Sequence, residues 1–71
     1  MSNEELVFVL FCVESIAAKL GMQARDVYDA LNESGIIDSY IIPCYDILHT
    51  QGKDYIVNDI LSVAQQKGIK I

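Results

Sequence analysis

Residues 2–21 read SNEELVFVLFCVESIAAKLG, and whether this stretch is helix or strand decides the fold class. Its middle, LVFVLFCV at 6–13, is apolar throughout and rich in Val and Phe, which suits a strand. Its ends argue the other way. Ser2 and Glu5 have the spacing of a capping box, in which each side chain bonds the other residue's backbone N–H. Glu4 and Glu5 stand where a helix dipole favours negative charge, and Lys19 stands near the opposite end. Gly21 follows as a stop. Leu6, Leu10, Val13, Ala17 and Leu20 recur at spacings of four and three, one face of a helix. The reading is helix over about 3–20. A helix apolar all round must be covered all round, so this one is expected to be the central helix or the main contact with another copy.

Outward from there the chain is short-period and helical. Ala24, Val27, Tyr28 and Leu31 form a second stripe, with Arg25, Asp26, Asp29 and Glu33 facing water, and Gln23 with Asp26 makes a weak imitation of a capping box. This predicts a helix over about 24–34, stopped by Gly35. Ile37, Ile41, Cys44 and Leu48 make a third stripe over about 38–50, with Asp38 as its cap and Gly52 closing it. Pro43 interrupts that stripe because it lacks an N–H and disfavours helix at Ile42. One kinked unit is the preferred reading; a break into two is the alternative. Lys53–Lys67 is the last helix, with Ile56, Ile60 and Val63 on one stripe and Val57, Leu61 and Ala64 on its neighbour. Gly68 ends it, and the tail Ile69–Ile71 can pack, pair or fray. The fold class predicted is therefore all-α: a bundle of four short helices, five if the chain breaks at Pro43, in a single domain spanning 1–71. The short connections favour neighbouring helices packed together.

Composition bounds the function. The chain has 71 residues, 52% of them apolar. A domain this small buries roughly 60% of its unfolded surface. Some apolar surface is then expected to be covered by a partner, most simply a second copy. Ten acidic and five basic residues give a net charge of −5, a poor match for nucleic-acid phosphates and a better one for a basic protein. Met1 is followed by Ser-Asn-Glu-Glu rather than a basic leader, and Leu6–Val13 is far shorter than the roughly 20 residues that span a bilayer. No membrane association is expected. Cys12 and Cys44 are read as reduced, packed thiols of a cytoplasmic protein.

The polar chemistry is crowded into Pro43–Gly52, PCYDILHTQG, which holds the only proline and the only histidine. On a helix Tyr45 and His49 are i, i+4, and Asp46 and His49 are i, i+3. Asp46 beside His49 could orient an imidazole for general-base work. The plainer reading is that His49 ends a helix and bonds its free carbonyls, with Asp46 paired to it. Cys44, Asp46 and His49 do not make a zinc set, because ligands two apart diverge on a helix and no second His or Cys pair completes it. Cys12, in the most apolar run, and Cys44, on a buried stripe, are unsuited to nucleophilic catalysis. No catalytic set, metal or cofactor is predicted. The candidate functional segment is Tyr45, Asp46, His49, Thr50, Gln51 and Gly52. The four tyrosines, Tyr28, Tyr40, Tyr45 and Tyr55, suit the edge of a core or an interface.

The segment YDILHTQG at Tyr45–Gly52, followed by KDYIVNDI, resembles a family of small bacterial proteins catalogued as a domain of unknown function. The likeness runs end to end, through the apolar first helix LVFVLFCVE and a second helix like GMQARDVYDAL. Gln23 departs from the Ser or similar cap of such relatives. The resemblance implies no activity. It implies a gene neighbourhood that often includes a small family similar to ADP-ribosyltransferases, and so a partner or antitoxin role. The function expected is a non-enzymatic helical interaction module, forming a homodimer or docking on a protein encoded nearby. The alternatives are a small ligand-binding protein or enzyme built on Tyr45, Asp46 and His49, and a helix-turn-helix DNA-binding regulator.

Overall fold

The computed structural model describes residues 1–71 and is all-α, with no strand. α1 runs Asn3–Leu20, α2 Ala24–Glu33, and α4 Lys53–Gln66; between α2 and α4 lie a π-helical segment, Ile37–Ile41, and a four-residue helix, α3, Tyr45–Leu48. The capping box at α1 forms: Ser2 N–H donates to Glu5 Oε1 at 2.8 Å, and Glu5 N–H donates to Ser2 Oγ at 3.1 Å. The Ser2 backbone N–H holds the Glu5 carboxyl below the usual range. Gly21 ends α1 at φ 66°, a conformation open to Gly, and the Met22 N–H closes the end on the Ala17 carbonyl at 3.0 Å.

The buried face of α1 differs from the expected stripe. Phe8, Val9, Cys12, Val13, Ile16 and Ala17 turn inward, while Leu6, Leu10 and Leu20 stay exposed. Val13 and Ala17 belong to both sets. In a run with no polar residue the period cannot select a face; the packing partners do, and α1 lies against both α2 and α4. α2 keeps Val27 and Leu31 fully buried, but Gln23 makes no side-chain cap bond, so its imitation of a capping box does not form.

The third unit is broken, not one kinked helix. Helical backbone already starts at Ile36, and Asp38 lies in the first turn, exposed, rather than at the cap. The Ile42 N–H reaches back to the Ile37 carbonyl at 3.0 Å, the wide i→i−5 bond of a π turn. That turn sits directly before Pro43, which has no N–H to carry an α-helical ladder forward. The chain turns through Ile42–Cys44 and α3 begins at Tyr45. Ile36, Ile37 and Ile41 are buried completely or nearly so, and Leu48 follows them inward, whereas Cys44 is half-buried. Gly52 does not close this unit. With φ −71° and ψ 160° it is extended and serves as the N-cap of α4.

α4 buries Ile56, Val57, Ile60 and Ala64, with Leu61 and Val63 half-buried beside them. The tail folds back, its Ile69 N–H on the Ala64 carbonyl at 2.9 Å, and Ile69 and Ile71 pack against the core. Sixteen buried apolar residues from every element form one cluster. Fully burying an Ile, Leu or Val contributes about 1.5–3 kcal/mol. Two side-chain bonds tie α4 outward: Lys19 Nζ donates to Asn58 Oδ1, and the Tyr40 hydroxyl donates to Asp59. No helix is long and apolar enough to cross a membrane.

Candidate functional site

The segment Tyr45–Gly52 is where the sequence concentrates unusual polar residues, and α3 sets their geometry. A four-residue helix has as many unsatisfied carbonyls as residues. The polar side chains that follow it meet that need. The Tyr45 carbonyl accepts from the His49 backbone N–H at 2.9 Å and lies 2.7 Å from His49 Nδ1. A carbonyl only accepts, so this bond requires the proton on Nδ1. Thr50 Oγ1 donates to the Ile47 carbonyl at 2.8 Å. The Gln51 N–H takes the Leu48 carbonyl at 3.0 Å.

The i, i+4 relation of Tyr45 and His49 is realised as a parallel stack, with ring centroids 4.4 Å apart and planes 3° from parallel. The i, i+3 relation of Asp46 and His49 is not realised as a bond. His49 turns to the Tyr45 carbonyl, and Asp46 stays exposed in the first turn of α3. An imidazole held by a main-chain carbonyl has lost the carboxylate that general-base work would use. His49, Thr50, Gln51 and Gly52 are exposed and Tyr45 is half-buried. Two grooves open on the surface, and no residue from Tyr45 to Gly52 lines either. Cys44, Asp46 and His49 do not converge, and no three His, Cys, Asp or Glu side chains are grouped to hold a metal. Burial pushes the Cys12 thiol up to about 12, so it holds its proton at neutral pH.

What this segment does join is the first helix. Phe8 meets the Tyr45 ring edge-on, centroids 5.4 Å apart, and Phe8 also lies 6.4 Å from Phe11 on its own helix. Phe11, Phe8, Tyr45 and His49 thus form a continuous run of rings from the outside of α1 to the end of α3. The sequence singled out Tyr45 and His49 but not Phe8 or Phe11, because the contact spans most of the chain between α1 and α3. The outer side of α1 carries exposed Leu6, Val7, Leu10 and Phe11, and α3 adds exposed Ile47.

No curated protein and no solved structure matches the chain. A family model described as "Protein of unknown function (DUF3791)" matches residues 7–67, from the outer face of α1 to the end of α4. With most of its length inside that match, the chain belongs to this family of unknown function.

Proposed function

We propose that this chain is a non-enzymatic interaction module that pairs with a second copy of itself across the outer face of α1. The observation that carries the reading is the exposure of four neighbouring apolar side chains on one helix: Leu6 at 44%, Val7 at 67%, Leu10 at 45% and Phe11 at 41%. Single exposed apolar residues are ordinary, but a contiguous group on a regular helix is the kind of surface that interfaces use. Leu10 and Phe11 are large, and the Phe11 ring stacks with Phe8, centroids 6.4 Å apart, on the same helix. The same face would serve a protein encoded nearby, including the ADP-ribosyltransferase-like neighbour that the family resemblance implies.

Size-exclusion chromatography with light scattering at tens of micromolar tests the pairing. A mass twice that of the 7.9 kDa chain is the expected result. A clean monomer removes the self-association, and co-purification with the adjacent gene product then decides whether the face serves a different protein.

A further inference from the structure

A second feature lies away from that face, in the groove between the C-terminal half of α1 and the start of α4. The groove holds about 540 Å³ and is lined by Ser15, Lys19, Lys53, Asp54, Val57 and Asn58 among others. Ser15 is the one buried polar residue of the chain, 6% exposed. Ser34, Ser39 and Thr50 each turn their hydroxyl onto a carbonyl three or four residues back. Ser15 makes no such bond. No fully enclosed side-chain oxygen lacks a partner, so what Ser15 leaves open is its hydroxyl, and it opens into this groove.

Other donors belong to residues that line the same groove. Lys19 donates to Asn58 across the groove and keeps two further N–H donors. Lys53 is the first residue of α4. Its N-cap is Gly52, which has no side chain to bond the helix end, and the first backbone bond of α4 is Ile56 N–H to the Gly52 carbonyl. The N–H groups of Lys53 and Asp54, both lining residues, are therefore unpaired within the helix, at the positive end of a 14-residue dipole. Two of the five basic side chains meet here in a chain whose net charge is −5. One acidic side chain, Asp54, lines the groove with them.

From the unpartnered Ser15 hydroxyl, the two lysines and the uncapped start of α4, we infer that this groove binds the phosphoryl group of a small molecule. Helix N-termini hold such oxyanions through backbone N–H groups and the dipole together. Ser15 supplies a neutral donor, and Lys19 and Lys53 supply charge. Asp54, already exposed, opposes the anion.

The test is a ¹H–¹⁵N titration of the full chain with inorganic phosphate at ionic strength held constant with chloride, repeated with ribose 5-phosphate. Saturable shifts confined to Ser15, Lys19 and the first turn of α4 are expected with either probe, and tighter binding of the sugar phosphate identifies the phosphorylated molecule rather than the free ion. Ser15→Ala and Lys53→Met should each weaken binding by roughly tenfold, the scale of one lost hydrogen bond to a charged group. Asp54→Asn should tighten it. Unchanged dispersion of the spectrum shows that each variant is folded. Shifts that do not saturate, that scatter over all the lysines, or that Lys53→Met and Asp54→Asn leave unaltered overturn the assignment.

Discussion

Phe8 of α1 and Tyr45 of α3 meet edge to face, with centroids 5.4 Å apart and planes at 84°. This contact anchors the shortest helix of the protein to the longest. α3 has four residues, too few to hold helical structure alone, and it follows a proline. Its position depends on Leu48 in the core and on Tyr45 against Phe8. Phe8→Ala should destabilise the protein by about 3–5 kcal/mol, the usual range for a buried Phe. In a double-mutant cycle with Tyr45→Leu, the aromatic pair should account for about 0.5–1.5 kcal/mol of coupling. Urea denaturation of the four proteins measures it; zero coupling would mean that the edge-to-face contact adds nothing beyond the burial of each ring.

His49 is expected to be a capping residue. His49→Ala removes the bond to the Tyr45 carbonyl and the stacked ring, and should lower stability by about 1 kcal/mol, as for one partly exposed hydrogen bond. Asp46→Asn should change stability little, since Asp46 is exposed and His49 is bonded elsewhere. Thermal unfolding of both variants separates this from a paired Asp46–His49 unit, in which the two substitutions would have similar effects.

Those two residues also show how far sequence carries. The Tyr45–His49 spacing is a local property of a helix, so their nearness is legible from positions alone, while the parallel stack is seen only in the structure. The carbonyl partner follows from position too, since a His at a helix end bonds free carbonyls, and His49 does so at Tyr45. The pairing with Asp46 does not form, because that carbonyl, left free by a helix cut short after Pro43, takes the imidazole. The Ser2–Glu5 box and the stop at Gly21 were equally local, and so were the ends of α1, α2 and α4 to within a residue or so. Gly52 has the position of a stop, yet a glycine at a boundary suits either the end of one helix or the start of the next, and here it caps α4. Leu6 and Leu10 share one apolar stripe with Val13 and Ala17 yet stay exposed; an unbroken apolar run contains several valid stripes. The choice among them is made by α2 and α4, through contacts that no spacing within α1 encodes.

Two weak acids hold their protons more tightly in the folded chain and so couple stability to alkaline pH. The bond from Tyr40 to the Asp59 carboxylate, with burial behind it, pushes the phenol up from 10.0 to about 12. Burial pushes the Cys12 thiol up from 9.0 to about 12. Both groups are neutral when protonated, and both hold their protons more tightly folded than unfolded. Their stabilisation is thus complete below the unfolded values and is lost as pH rises from about 9 towards 12. Urea midpoints should be flat from pH 7 to 8.5 and fall steeply above 9.5. Tyr40→Phe should reduce stability at pH 7 by about 1 kcal/mol and flatten the alkaline fall, leaving the part due to Cys12. An unchanged alkaline slope in that variant would show that Tyr40 ionises freely in the folded protein.

The outer and inner faces of α1 should respond oppositely to substitution, and this separates an interface from a core. Val7 and Phe11 lie on the exposed side, whereas Val9 and Ile16 on the same helix have no exposed surface. Val7→Lys with Phe11→Glu places charges on the proposed pairing surface without opening a cavity inside the chain. Any monomer should keep its helical circular dichroism, while the dimer mass is lost. Ile16→Ala should instead cost about 2–5 kcal/mol of folding stability through the cavity it leaves. Where pairing and folding are linked, the thermal midpoint of the parent should rise with protein concentration and that of the charged variant should not. Sedimentation equilibrium and concentration-dependent melting provide both readouts. A charged double variant that still sediments as a dimer would place the contact elsewhere and leave the apolar outer face of α1 without that role.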